Sequence, residues 1–141
     1  IWTNLATTAF ESVRESGMGG AAHACELETS AYLHLEPSRV QMDKATDHYG
    51  GAAGKEGSKF LYVDISRGWG PMKLVQWTSS ATPTGVSGAP TLSTAEKGRV
   101  IVEAAAENLV AFAREMRAME KGVRIDHRVL KPTLPIYPSP D

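Results

Sequence analysis

One cysteine, Cys25, stands in a chain of 141 residues. A lone thiol closes no internal disulfide, which excludes a secreted disulfide scaffold. Long hydrophobic runs are missing as well. The most apolar stretch, Val100 to Phe112, is interrupted by Glu103, Glu107 and Asn108, whereas a membrane-spanning helix needs about 20 largely apolar residues. Neither sign of charge dominates: 15 Lys and Arg face 16 Asp and Glu, with no basic run longer than a pair. No broad field is left to attract nucleic acid or an anionic membrane, and neither is expected as a partner. The first residues, Ile1-Trp2-Thr3-Asn4, lack the basic segment, apolar segment and cleavage site of a signal peptide. A reducing cytoplasm is the expected location. Methionine is absent from position 1, and the residues after Ile1 already read as structured core, so the chain is expected to begin inside a domain.

What is present suits a soluble globular protein, with 42% hydrophobic and 22% charged residues in a length that fits one domain. Leu5, Ala9, Phe10 and Val13 share one helical face, which predicts a helix over about Thr3 to Glu15. Thr3 or Asn4 can cap it and Ser16-Gly17 ends it. Beyond the glycine-rich Gly17-Met18-Gly19-Gly20, Leu27, Ala31 and Leu35 predict a second helix from about Ala24 to Leu35, with Pro37 past its end. Glu26 and Glu28 fall in its first turn, where the amide dipoles favour negative charge.

Val40-Gln41-Met42 reads as a short strand at best, and Tyr49 to Ser58, rich in glycine, as loop. Phe60 to Ile65 and Met72 to Trp77 have the β-branched and aromatic content of strands, with Gly68-Trp69-Gly70-Pro71 as the turn between them. Thr78 to Leu92, punctuated by Pro83, Gly85, Gly88 and Pro90, reads as a long connection of the kind that often carries function. Ser93-Thr94-Ala95-Glu96 reads as a capping box, Ser93 the cap and Glu96 the returning carboxylate. The helix it opens carries an apolar stripe through Ile101, Ala105, Leu109, Phe112, Met116 and Met119 and closes at Lys121-Gly122, about 40 Å at 1.5 Å per residue. Residues 123–141, with Pro132, Pro135, Pro138 and Pro140, are set apart as an extended tail. Few strands among three helices predict an α/β domain over residues 1–122. So little sheet suggests that part of the domain lies elsewhere.

The chemistry concentrates in Gly19 to Ser30, which sets His23 behind a glycine loop and just before a helix N-terminus. Glycine lets backbone approach a ligand closely, and the first amides of a helix point outward without partners. An imidazole there can pass protons to or from a group held against those amides. The same residues leave open a packed histidine in an ordinary loop. Glu28 suits a supporting role, as a first-turn carboxylate bonding backbone amides beneath His23. Glu26 is expected to face solvent or a neighbouring subunit, and Cys25 to serve packing. His34, His48 and His127 lack partners at ligand spacing and are expected on the surface. Trp69 and Trp77 suit core or interface, and Asp64, at a strand end where it could orient a neighbour, is assigned no role.

The run Gly19-Gly20-Ala21-Ala22-His23-Ala24-Cys25-Glu26-Leu27-Glu28-Thr29-Ser30 closely resembles the His-Ala-Gly-Glu-x-Glu-Thr-Ser signature of the creatininase (creatinine amidohydrolase) family. Downstream, Thr84-Gly85-Val86-Ser87-Gly88-Ala89-Pro90 and Ser93-Thr94-Ala95-Glu96-Lys97-Gly98 resemble that family's Thr-Gly-Val-x-Gly-Asp-Pro and Ala-Thr-x-Glu-Lys-Gly. The resemblance covers most of residues 2–120. It implies a three-layer α/β/α domain, of which this chain is the C-terminal half, usually assembled as a hexamer. It also implies two divalent metal ions, zinc or manganese, that activate a water to open a small cyclic amide or cleave a related C–N bond.

The family's metal ligands come from a Glu-x-His segment, a later Asp and an Asn-Gly-His segment, and none of these motifs is present here. No metal ligand is therefore assigned in this chain, and the N-terminal half, in the same or a separate chain, is the implied partner. On the same resemblance His23 transfers a proton to the leaving nitrogen. Gly19, Gly20 and Ala22 belong to the strip that lines the substrate pocket, and Trp2 matches an aromatic position near it. The chain departs from creatininase itself at two pocket positions: Ala22 replaces an acidic residue, and Gly19 replaces a bulky aromatic. The resemblance thus implies the chemistry rather than creatinine as its small-molecule substrate. Two other functions fit the residues, a ring-opening hydrolase of a cyclic polyol ketone (3-dehydro-inosose type) and a noncatalytic assembly or binding subunit.

Overall fold

The core is set by three large side chains, Phe10, Leu27 and Ile101, each fully buried and each from a different helix. Burial of such a side chain contributes about 1.5–3 kcal/mol, and here it draws the three helices together. The computed structural model of the chain describes residues 2–49, 58–126 and 128. Helix α1, Trp2–Val13, turns Ala6 and Phe10 inward, with Leu5 and Val13 packed at the margin. Strand β1 is Ala21–His23 and helix α2 is Glu26–Leu35, starting two residues later than the periodicity suggests. Single 3-10 turns follow at Pro37–Arg39 and Met42–Lys44. Strands β2, Val63–Asp64, and β3, Gly68–Trp69, precede a one-turn helix α3, Thr78–Ala81. Strand β4, Ser87–Gly88, and a 3-10 turn, Pro90–Leu92, lead into helix α4, Ala95–Ala118.

Helix α4 packs across both α1 and α2. Its approach to α2 depends on Gly98, where a Cβ would stand 1.9 Å from the Ser30 carbonyl oxygen. The cap of α4 differs from the sequence reading. Thr94, not Ser93, is the N-cap, and its hydroxyl accepts the Lys97 amide at 3.1 Å. Ser93 is drawn away because its hydroxyl donates to the Glu26 carbonyl at 3.1 Å. Glu96 is correspondingly free to pair with Arg99 at 2.7 Å on the surface. The helix ends at Ala118, before Lys121-Gly122. Its 24 residues span about 36 Å at 1.5 Å per residue, and only the first half finds cover. Ile101 and Ala105 are buried, whereas Leu109, Phe112, Met116 and Met119 are exposed. The Asn108 side-chain amide, donating to the Leu5 carbonyl at 2.6 Å, lies at the transition.

The strands form two short antiparallel ladders. In one, Ala21 of β1 stands opposite Gly88 of β4 and His23 opposite Ser87. His48 extends it, exchanging backbone hydrogen bonds of 3.0 and 2.7 Å with Gly88. His48 is therefore half-buried rather than a surface residue, and its Nε2 lies 3.1 Å from the Ala81 carbonyl. Gly88 itself has φ +151°, and a Cβ there would lie 2.5 Å from that of Cys25. In the second ladder Val63 faces Trp69 and Asp64 faces Gly68. The hairpin thus turns at residues 65–67, and Gly68 and Trp69, read from sequence as turn, are strand. The Ile65 amide donates to the Ala21 carbonyl at 2.6 Å, which ties the hairpin to β1.

The architecture is α/β, but with less strand than the sequence pattern suggests. Among the described residues, the pairing within 72–77 is reduced to one backbone bond, from the Met72 amide to the Phe60 carbonyl at 3.0 Å, and Leu74, Val75 and Trp77 are exposed. A strand exists only with a hydrogen-bonding partner, which composition does not supply. Residues 50–57 of the glycine-rich loop, His127, the tail from residue 129 and the Trp2 side chain lie outside the described residues.

Candidate functional site

The strand–helix joint at His23 is built by one unusual residue. Ala24 has φ +49°, in the left-handed region, which costs a residue with a Cβ about 1–2 kcal/mol. This bend swings the chain from β1 into α2 and leaves His23 exposed at the strand end. Cys25 follows as the N-cap of α2 in extended conformation. Its amide donates to the Glu28 carboxylate at 3.4 Å, the returning arm of a capping box. Cys25 is fully buried. Burial, reinforced by the Glu28 carboxylate, pushes its thiol up to about 11, so almost no thiolate exists at neutral pH to act as a nucleophile.

Glu26, the next residue, is fully buried rather than facing solvent or a subunit. Its carboxylate accepts the amides of Glu15 and Ser16 at 3.0 and 2.9 Å and pairs with Lys97 at 2.6 Å. Lys97 also reaches Glu15 at 2.7 Å and the Leu92 carbonyl at 2.7 Å. Burial pushes the Glu26 carboxyl upward, but the Lys97 ammonium and the two amides outweigh it and hold the group below its ordinary value. Burial likewise opposes the charge on Lys97, and its Glu15 and Glu26 partners raise its pKa despite that. Ser30, one turn along α2, is buried and accepts the Thr94 amide at 3.2 Å. The two family-like segments are therefore one structural unit, joined by Glu26–Lys97, Ser30–Thr94, Ser93–Glu26 and the β1–β4 ladder.

A second buried hub lies behind the glycine strip. Arg14 grips Asp64 with two hydrogen bonds of 2.9 and 2.6 Å, both side chains almost wholly enclosed. Asp64 also accepts the amides of Gly19 at 3.0 Å and of Ser66 and Arg67 at 3.2 Å each. Arg14 donates onward to the Ser16 carbonyl at 2.7 Å and to the Gly17 carbonyl. Burial raises the Asp64 carboxyl, and the Arg14 hydrogen bonds more than reverse this, so it stays ionised well into acid. The hub fixes the path of residues 16–19, which lead into β1.

The outer face of the joint opens on a shallow depression of about 400 Å³, within the range of small-molecule sites. His23, Ala24, Glu28, Thr29 and Tyr32 line one part of it, and Arg39, Val40 and Gln41 another. It brings His23 and Glu28 together. Gly19, Gly20 and Ala22 do not line it: Gly19 donates to Asp64, the Gly20 carbonyl accepts the Ala89 amide at 3.1 Å, and Ala22 is half-buried within β1. Trp2 opens α1. Trp69 is exposed with the Lys73 ammonium 5.3 Å from its ring centre, and Trp77 is exposed too.

No group of three or more His, Cys, Asp or Glu side chains among the described residues could hold a metal ion. The two most buried carboxylates, Glu26 and Asp64, are already saturated by cations and amides. A dimetal centre does not fit these residues.

Glu26–Lys97 and Arg14–Asp64 were not foreseen as pairs. The first had a signal, since a carboxylate in one motif and an ammonium in the other invite pairing. The second had none.

A glycine strip, a histidine at a strand end and a charged pair bracing the joint thus lie together at one edge of an α/β domain. The family model described as creatinine amidohydrolase (creatininase) matches residues 2–113, and the chain belongs to the creatininase family. No curated protein and no solved structure matches it significantly.

Proposed function

We propose that the chain works within a metal-dependent hydrolase of the creatininase type, which opens a small cyclic amide or cleaves a related C–N bond. The observation that carries this is His23, an exposed imidazole on the rim of a small-molecule-sized depression, inside the family-matched segment. In this reading His23 delivers a proton to the nitrogen as it leaves. An amide anion is a very poor leaving group, so the C–N bond breaks only as that proton arrives. Glu28 keeps the first turn of α2 in place beneath the imidazole through the Cys25 amide. Gly19, Gly20 and Ala22, which the family resemblance sets along the substrate, lie outside this depression.

Membership of the family brings an expectation of two divalent ions, zinc or manganese. In this proposal their ligands come from an N-terminal half of the domain, in the same or a separate chain. A hexamer in the cytoplasm is part of the same proposal. Among the described residues no helix is long and apolar enough to cross a membrane.

The test is turnover of a panel of cyclic amides by the complete protein, before and after chelation. Ring opening that is lost on chelation and restored by zinc or manganese is expected. Turnover that survives chelation contradicts the reading. A protein inert on the whole panel would be the noncatalytic subunit instead, and turnover of a cyclic polyol ketone alone would move the activity to that ring-opening class.

A further inference from the structure

We infer that the depression beside His23 is made for a carboxylate-bearing ligand, with Arg39 as the residue that anchors the carboxylate. Taken with the proposed function, on which this part rests, the substrate is a cyclic amide that carries an acid group.

Arg39 lines the same depression as His23. It stands at the end of the 3-10 turn Pro37–Arg39, whose backbone is held by hydrogen bonds from the Arg39 amide to Glu36 at 3.0 Å and from Val40 to Pro37 at 3.1 Å. Its base is therefore fixed. Its guanidinium has no hydrogen-bond or ion-pair partner among the described residues. Arg14, Arg67 and Arg99 each pair with a carboxylate, at 2.6, 3.0 and 2.7 Å. Arg39 is exposed without one among the described residues, as are Arg114, Arg117 and Arg124, and of these four it is Arg39 that lines the depression.

The depression's own carboxylate, Glu28, is committed to the Cys25 amide and makes no ion pair with Arg39. The remaining lining, Thr29, Tyr32, Val40 and Gln41, is uncharged. A guanidinium offers five donors and no acceptor, and its fork matches a carboxylate with two parallel bonds. A ligand spanning this surface would present its acid to Arg39 and its ring amide to His23.

The experiment titrates the complete protein by calorimetry with two probes of the same ring, 5-oxoproline, which bears a carboxylate, and 2-pyrrolidinone, which does not. The wild type is expected to bind 5-oxoproline tighter by a factor on the order of 10, the scale of a charge-assisted hydrogen bond. Arg39→Gln should abolish that preference without changing 2-pyrrolidinone binding. Arg39→Lys should keep part of it, because charge remains without the fork. Equal binding of the two probes, no binding of either, or a preference that survives Arg39→Gln overturns the inference. Binding is read without turnover, so a protein that shows the Arg39 preference but opens no ring refutes the hydrolase reading and upholds this one. Ring opening with no preference does the reverse.

Discussion

The Lys97 ammonium lies 2.6 Å from the Glu26 carboxylate, joining residues 71 positions apart and fastening the start of α4 to the start of α2. Both side chains are enclosed, and each favours the charged form of the other, helped by Glu15 beside Lys97 and by the Glu15 and Ser16 amides on Glu26. Removing one leaves an uncompensated buried charge, which costs far more than a surface pair. Lys97→Met is expected to lower the unfolding free energy by about 3–5 kcal/mol. The double variant with Glu26→Gln should lose less than the sum of the two single variants. Urea denaturation checks both, and a loss below about 1 kcal/mol, the size of an exposed pair, would show that the pair braces nothing.

The acid side of the stability profile follows from three carboxyls. Burial raises Glu11, but hydrogen bonds from Ser66, Arg14 and Arg67 prevail and hold it at about 2, against an ordinary 4.5. Asp64 and Glu26 are lowered against burial in the same way. A carboxyl with a depressed folded pKa stabilises the fold fully above its unfolded value and loses that contribution as pH falls through the folded one. Stability should therefore decline from about pH 4.5 toward about pH 2. Asp64→Asn should make that decline shallower while lowering stability at neutral pH. Denaturation curves across the range would contradict this if stability held constant down to about pH 3.

Gly98 has no room for a side chain, since its Cβ would overlap the Ser30 carbonyl at 1.9 Å. Alanine is a better helix former than glycine, yet Gly98→Ala should destabilise the protein by about 1–3 kcal/mol, as overpacking does. A rise in Tm would mean that α2 and α4 do not touch there.

The helices were legible because their signals are local. Phe10 and Val13, Leu27 and Ala31, Ile101 and Ala105 stand at helical spacing and lie in the core or pack against it. Local pattern misplaced the cap of α4 because Ser93 is claimed by the backbone of α2, a partner far off in sequence. Pairing was the weak point for the same reason. Residues 60–65 and 72–77 look alike in composition, but the regular ladder holds Val63 and Asp64, and the link between the two segments among the described residues is one bond from the Met72 amide to the Phe60 carbonyl. The site divided similarly. The position of His23 before a helix was readable, whereas burial of Glu26 was not, because a first-turn carboxylate ordinarily faces solvent and its cation is on another helix. Asp64 gave only the hint of a strand-end acid, and its partner Arg14 lies 50 residues away.

The central claim is that His23 moves a proton at a site whose metals are held elsewhere. The most direct measurement is kcat together with metal content for His23→Ala in the complete protein. Removal of a positioned general acid is expected to lower kcat by roughly 10²–10⁴, with the bound metal unchanged. A variant that loses its metal and recovers turnover with excess zinc or manganese would make His23 a ligand and contradict the account, as would a variant that keeps both its metal and a near-normal kcat.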